Sequence, residues 1–528
     1  MVQRVLVSDK LAEQGLAILD AEAGIELDNR PGIGEEELAA SIAGYHALIV
    51  RSGTRVTAEV IDAAAALKVI GRAGIGVDNV DVAAASMRGV VVMNTPTGNN
   101  VTTAEHALSM LLALARHIPQ ACASLRKGEW KRGDFVGTEL CNKTLGIVGI
   151  GNIGSIVANR AAGLKMKVLA YDPYITAQSA ARLGLELVSL EELYARSDFI
   201  SVHTPLTAET EGMVDAGAFA AMKDGVHIVN CARGGIVDEQ ALAEAITAGK
   251  VAGAALDVFA KEPPPADSPL LAMPQVVATP HLGASTGEAQ LNVAIAIAEQ
   301  VRDFLCDGVI SNAVNVPSVP PEAIEALMPY IILAERIGSL HAQLAARIPD
   351  EVTIAYQGEA ADLDCRSVNA AVLQGLLAKV MESPVNSVNA PILARERGIK
   401  VVEMREHDVS SFASAIEVTF RGADGDNIIA GAVFGGNIVR LVRFDDFFLE
   451  AVPEGIILIL HNRDVPGVVG RVGTFLAEHS INIAGLELGR VGGEAVSFVH
   501  IDSPLSSGQI EELRSLPDIT AAAMVRLD

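Results

Sequence analysis

Cysteine is scarce and unpatterned in this sequence of 528 residues. Cys122, Cys141, Cys231, Cys306 and Cys365 form no CxxC pair and have no histidine at metal-ligand spacing. That excludes a structural zinc and a disulfide framework, and it predicts a reducing, cytoplasmic setting with no metal. Long hydrophobic runs are missing as well. Half of the residues are hydrophobic, yet Gly, Asp, Arg or Asn breaks each run before the roughly 18 residues a membrane helix needs. The opening MVQRVLVSDK enters a strand-like pattern at once, so no export signal or membrane anchor is expected. Positive charge is in deficit: 40 Lys and Arg face 65 Asp and Glu, a formal net charge of -25. With no basic patch to override it, this excludes nucleic acid as a partner.

What the chain does have is length for about three or four cores and a glycine fingerprint. In LGIVGIGNIGSIVANR, Gly149, Gly151 and Gly154 fill G-x-G-x-x-G, with Asn152 and Ile153 between the last two. KTLGIVG reads as a buried strand and NIGSIVANRAAGLKM as a helix. The first glycine permits a tight turn, the second lets a pyrophosphate approach the backbone and the third lets helix and strand pack closely. The helix N-terminus then faces the anion. A second strand, KVLAYDPY, ends in Asp172, a carboxylate placed to bind an adenosine ribose and repel a 2'-phosphate, so NAD is expected rather than NADP.

Four more short apolar runs follow, DFISVHTP, VHIVNCARGG, AGAALDVF and QVVATPHLGA. In a parallel sheet their polar ends share one edge, which gathers Thr204, Cys231, Ala232, Arg233, Asp257 and His281 around one cofactor. The same style of strand occurs before the fingerprint, in RVLVSD, ALIVRSG, VIGRAG and VVVMNTP. The fingerprint domain, 98–282, is therefore expected as an insertion in a first α/β domain of residues 1–97 and 283–317. That domain is closed by the helix STGEAQLNVAIAIAEQVRDFL, whose start carries a capping-box pattern from Ser285 to Glu288.

The order of GIGNIG, Asp172, NCARGGIVDE, ALDVFAKEPPP and TPHLGAST resembles the D-2-hydroxyacid dehydrogenases over residues 1 to about 317. The resemblance implies a Rossmann-type doubly wound sheet inserted in a flavodoxin-like α/β domain. It places the family's active-site Arg, Glu and His on Arg233, Glu262 and His281, and adds Gly283 and Ala284 to the cofactor contacts. The chemistry suits those types. An imidazole can take the hydroxyl proton as hydride leaves C2, a carboxylate can orient it, and a guanidinium can grip the substrate carboxylate with two hydrogen bonds. His106 and His203, with no obvious acid partner, are expected to be structural.

Arg51 in IVRSGT and Arg72 in GRAGIGVDNV stand at predicted strand ends facing the same cleft. Three cations exceed what a monocarboxylate needs, so a phosphorylated 2-hydroxy acid is expected. The resemblance implies that Arg51, Ser52, Gly53, Arg72 and Asn99 help to hold it, together with Arg233 and His281. Where the family often has RAGTG this chain has RAGIG, so Ile75 offers no hydroxyl. Within the resemblance, RKGEWKR, with the sole tryptophan Trp130, looks like a segment at or near a dimer contact. Two alternatives stay open: a glyoxylate or hydroxypyruvate reductase, and a non-catalytic NAD-sensing scaffold.

Residues 318–453 mix amphipathic helices with strand-like runs, an α+β pattern that resembles the intervening, allosteric-substrate-binding type domain of the family's long members. There Arg440 and Arg443 are either an anion patch or a solvated strand face. Residues 454–528 follow the βαββαβ order of a ferredoxin-like unit. HNRDVPGVV and INIA resemble the amino-acid-binding ACT domain, and the resemblance implies that Asn462, Asp464 and Asn482 grip a regulatory amino acid, with L-serine expected. Unpaired edges in such a unit favour pairing with another copy, so a homodimer or homotetramer is expected.

Overall fold

A computed structural model describes residues 2–317, 321–381, 384–407, 412–423 and 425–527. Four separate sheets divide the chain. The first lobe contains β1 (Gln3–Val7), β2 (Ile25–Asn29), β3 (Ala47–Val50), β4 (Val69–Arg72) and β5 (Val91–Met93). All pair in parallel, in the order β2-β1-β3-β4-β5, which is the flavodoxin-like arrangement. Apolar residues on both faces suit strands covered by helices on either side. One cover is the helix Gly287–Asp307, whose Val293, Ala294, Ile297, Ala298 and Val301 enter the core formed by Val5, Val7, Ile49 and Val69. The chain thus returns to its first lobe after the inserted one. The helix is capped by Thr286, whose hydroxyl accepts from Ala289 N at 3.2 Å. The expected Ser285–Glu288 box does not form, because Ser285 belongs to the preceding turn, bonded to Leu282 O, and the helix starts one residue later than that pattern needs.

The second lobe holds β6 (Thr144–Val148), β7 (Lys167–Tyr171), β8 (Glu186–Leu187), β9 (Phe199–Val202), β10 (Val226–Asn230), β11 (Val251–Leu256) and β12 (Val276–Ala278). They run parallel in the order β12-β11-β10-β9-β6-β7-β8. Chain direction of the crossovers reverses between β6 and β9, and a crevice opens there beyond the carboxyl ends of the strands.

The third sheet comprises β13 (Glu351–Gly358), β14 (Lys400–Glu406), β15 (Ser414–Gly422), β16 (Gly425–Phe434), β17 (Ile438–Phe444) and β18 (Phe447–Ala451), ordered β14-β13-β15-β16-β17-β18. Only β13 and β14 pair in parallel. The helices Pro321–Leu344 and Arg366–Ala378 pack with it in one core. The fourth sheet, of β19 (Gly455–Arg463), β20 (Ile483–Val491), β21 (Glu494–Ile501) and β22 (Ile519–Leu527), is antiparallel in the order β20-β21-β19-β22, the ferredoxin-like topology. Its edges are partly covered from within the chain. Gly489 of β20 lies against Phe447 and Phe448 of β18, and the Gln343 amide donates to Arg526 O and accepts from Arg526 N, at 2.9 Å each. Among the described residues, no helix is long and apolar enough to cross a membrane.

Candidate active site

At the crevice a cavity of about 500 Å³ runs between the two lobes. Its walls include Arg51, Ser52, Arg72 and Asn99 from the first-lobe side, and Gly151, Asn152, Ile153, Thr204, Cys231, Ala232, Arg233, Asp257, Glu262, His281, Gly283 and Ala284 from the second. Gly53, Gly149, Gly154 and Asp172 are not in the lining. Gly149 and Gly154 act on the frame instead. Gly149 has φ +94°, and a Cβ on Gly154 would lie 2.0 Å from Gly149 O, so the helix Asn152–Gly163 abuts the strand turn. A Cβ on Gly151 would meet nothing within 4 Å. Open space therefore lies over the backbone at a helix N-terminus, as a pyrophosphate requires. Asp172 follows β7 beside this turn and accepts from Ile150 N and Tyr174 N, both at 2.8 Å.

The three residues assigned from the family pattern converge. His281 Nδ1 and Glu262 Oε2 are 2.7 Å apart, so the imidazole carries its proton on Nδ1 when neutral and its Nε2 is left for a ligand. The hydrogen bond that His281 donates to Glu262 raises the His281 pKa, against burial that lowers it. Glu262 moves the opposite way: burial pushes its carboxyl up, but the hydrogen bonds from His281 and from Phe259 N (3.1 Å) outweigh it and the net shift is down. His281 is held in a left-handed conformation, φ +55°, by a loop fastened to Asp257. The Asp257 carboxylate accepts from Thr279 Oγ1 (2.6 Å), Leu282 N (2.7 Å) and Gly283 N (2.8 Å), while His281 N donates to Asp257 O (2.9 Å).

Arg233 sits on the turn after β10. Asn230 shapes that turn, accepting from Ala232 N at 3.0 Å and donating to Arg233 O at 2.9 Å. Burial, reinforced by Arg233, pulls the Arg72 guanidinium down to about 10, and its Nε is buried with no partner. Asn99 Oδ1 and Thr204 Oγ1 are likewise buried without partners on the cavity wall. A cluster of unsatisfied polar groups around one void is what a polar ligand would relieve.

His106 departs from expectation. It has an acid partner after all, since its Nε2 is 3.1 Å from Asp257 Oδ1 and 3.2 Å from Thr279 Oγ1. Nothing in the local sequence signals this, because the partner lies just beyond the end of β11, far along the chain. His203, on the cavity wall, has a hydroxyl partner instead: its Nε2 meets Ser201 Oγ at 2.8 Å, and burial pulls it down to about 4. Sequence reasoning also passed over Asp9, Asp78 and Asn79, which touch the Arg51–Thr54 loop and Arg233.

The three residues expected to bind an amino acid do not meet within one chain. Asn462 is the penultimate residue of β19 and Asp464 follows the strand, at the end that pairs with Glu494 and Ala495 at the start of β21. Asn482 precedes β20 and donates to Asp502, beyond the other end of β21, at 2.9 Å. Seven strand steps separate the two ends, roughly 25 Å. Asp464 is engaged by Arg490 at 2.5 Å, and Asn462 is 4% exposed, donating to Arg463 O at 2.8 Å. In the third sheet Arg443 is paired with Glu417 at 2.8 Å.

Family models match three segments: the D-isomer specific 2-hydroxyacid dehydrogenase NAD binding domain over 108–283, the D-3-phosphoglycerate dehydrogenase intervening domain over 326–445 and the ACT domain over 456–518. A D-3-phosphoglycerate dehydrogenase of Archaeoglobus fulgidus is 43% identical, covering 99% of this chain and 100% of its own. One of Synechocystis is 42% identical over 99% and 95%.

The chain belongs to the D-3-phosphoglycerate dehydrogenase family.

Its architecture is the family's long form, with an intervening and an ACT domain, and it is an NAD-dependent oxidoreductase. Solved relatives resemble about three fifths of the chain. A glyoxylate reductase from Paecilomyes thermophila is 30% identical with TM-score 0.55, covering 59% of this chain and 98% of that one. The D-lactate dehydrogenase of Escherichia coli is 29% identical with TM-score 0.53, covering 59% and 100%.

Proposed function

We propose that this chain oxidises D-3-phosphoglycerate to 3-phosphohydroxypyruvate with NAD, as the first step of phosphorylated serine biosynthesis, under feedback by L-serine. One observation carries the substrate: a largely buried Arg72, whose Nε has no hydrogen-bond partner, shares a cavity with Arg51, Arg233 and the His281–Glu262 pair. The full-length relatives bear the same substrate in their names. NAD, when bound, supplies the hydride acceptor. Arg233 holds the substrate carboxylate beside the reacting carbon, and His281 Nε2 takes the hydroxyl proton while Glu262 keeps the ring oriented and favours its charged form. Arg51, Ser52, Arg72 and Asn99 hold the rest of the substrate and its phosphate, with Gly53, behind the cavity wall, shaping the loop that carries Arg51 and Ser52.

In this reading 1–97 with 283–317 bind substrate, 98–282 bind NAD, 318–453 intervene and 454–528 regulate. Because Asn482 stands apart from Asn462 and Asp464 in one chain, the serine site is completed by a second copy. A ligand ammonium must also displace Arg490 from Asp464. Trp130, Val136 and Leu125, exposed by 78%, 79% and 58%, support a further contact between copies. Free cysteines suit a cytoplasmic protein. The test is NADH formation by the purified chain with D-3-phosphoglycerate, D-glycerate and D-lactate, with and without serine. The phosphorylated acid should be strongly preferred and serine should slow it. Asp464→Ala should lose calorimetric serine binding and keep its serine-free rate. No NADH from phosphoglycerate would reject the reading.

A further inference from the structure

The turn Gly76–Asp81, GVDNVD, follows β4 and has no part in the chemistry above. Two neighbouring residues in it reach two different substrate-holding groups. Asp78 Oδ2 accepts from Arg233 Nε at 2.9 Å, so the first lobe grips a guanidinium of the second. The backbone at Gly76 presses on the same group, since a Cβ there would lie 2.0 Å from Arg233 Nη2. With Nη1 also donating to Ala232 O at 2.7 Å, the plane of the guanidinium is set from two sides. Nη2 and the second hydrogen on Nη1 remain for a ligand.

Asn79 works in the other direction. Its Nδ2 donates to Arg51 O and to Thr54 O, at 2.6 Å each, and so ties both ends of the Arg51–Thr54 loop together. From the opposite side Asp9 Oδ2 accepts from Arg51 N at 2.6 Å and Thr54 N at 3.1 Å. The loop is clamped between an amide and a carboxylate, neither of which points at the ligand.

From this geometry we infer that Asp78 and Asn79 are positioning residues that set the spacing between the two anion sites. Asp78 aims Arg233 at the carboxylate end, and Asn79 fixes the Arg51–Ser52 loop for the phosphate end. Because the two are consecutive in one turn, the distance between the sites is built into a rigid piece of backbone. A substrate of the wrong length then satisfies one site at a time. The phosphate half of this inference rests on the substrate proposed above; the Arg233 half needs only a carboxylate.

The experiment compares reduction of 3-phosphohydroxypyruvate and of hydroxypyruvate with NADH by the full-length chain and by Asp78→Ala, Asp78→Asn and Asn79→Ala. NADH affinity and melting temperature are measured alongside. Asp78→Ala should lower kcat/KM for both acids by about 30-fold, leaving their ratio within about twofold, and Asp78→Asn, which keeps an acceptor oxygen, should recover several-fold of that. Asn79→Ala should raise KM for the phosphorylated acid, so that the ratio of the two kcat/KM values falls about tenfold. NADH affinity should stay within about twofold throughout. An unchanged ratio in Asn79→Ala, an Asp78→Asn as impaired as the alanine variant, or losses that track NADH affinity or melting temperature would overturn the assignment. If the unaltered chain shows no preference for the phosphorylated acid, the substrate reading fails, and the Asp78 variants still decide the Arg233 half on hydroxypyruvate.

Discussion

At the scale of single residues, the site is governed by charges around one imidazole. Glu262, through its hydrogen bond, and Asp257 raise the His281 pKa, while burial and Arg233 lower it; the net shift is upward. In oxidation the ring must be neutral to accept a proton, so kcat/KM for the hydroxy acid should climb with pH and level off above that raised pKa. Reduction needs the protonated ring and should level off below it. Glu262→Gln removes the charge and keeps an acceptor, so the His281 pKa falls. The oxidative limb then moves to lower pH, and reduction at neutral pH drops by about tenfold or more. Paired pH–rate profiles in the two directions check this, and a limb that stays in place would assign the titration to another group. Arg233 and His281 are legible in the sequence because strand ends of one parallel sheet must share an edge, whereas Glu262, on the loop beyond β11, comes from the family resemblance alone. The imidazole on the Asp257 carboxylate, His106, is not, since a helix position says nothing about which distant strand end it faces.

At the scale of elements, legibility follows burial. Strands with apolar residues on both faces, such as β3, β9 and β10, announce themselves as short hydrophobic runs. The strands that pattern reading passes over are β2 (IELDN), β8 (EL) and β14 (KVVEMRE), and each is the edge strand of its sheet. An edge has one neighbour and more solvent, so its sequence carries charges in place of an apolar run. Helix crossings are equally silent. In the third domain the helices Pro321–Leu344 and Arg366–Ala378 meet backbone to backbone: a Cβ on Gly338 would lie 2.1 Å from Val372 O, and one on Gly375 would lie 2.0 Å from Glu335 O. Glycine inside a helix costs about 1 kcal/mol against alanine, and the close crossing is what it allows. Gly375→Ala should therefore destabilise this domain, by about 1–3 kcal/mol, although alanine is the better helix former. Thermal unfolding of the full chain reads this out, and an unchanged or raised transition would show that the crossing tolerates separation.

At the scale of the whole molecule, the regulatory sheet is joined to the first lobe by the intervening domain. β20 leans on β18, and Gln343 caps the backbone of Arg526. At the far side Asn386 Nδ2 donates to Gly89 O at 2.8 Å, and Val388 is buried with Val91 and Met93 of β5 in the first lobe's core. β5 leads to Asn99 on the cavity wall. A route of packed contacts thus connects the ACT domain to the wall of the active site, bypassing the dinucleotide lobe. Coupling through it requires that effector and substrate each favour one of two arrangements, and linkage makes the effect reciprocal. Asn386→Ala removes the bond to Gly89 O at the last joint, together with the Oδ1 that accepts from Val388 N and Asn389 N, and touches neither site. Turnover without effector should stay near that of the unaltered chain. Under the proposed serine feedback, the factor by which serine weakens substrate binding should shrink several-fold, and the factor by which substrate weakens serine binding should shrink equally. Steady-state inhibition and calorimetry with and without substrate measure the two factors separately. If both are unchanged, the signal crosses between subunits, and the joint at Gly89 serves only to hold the domains together.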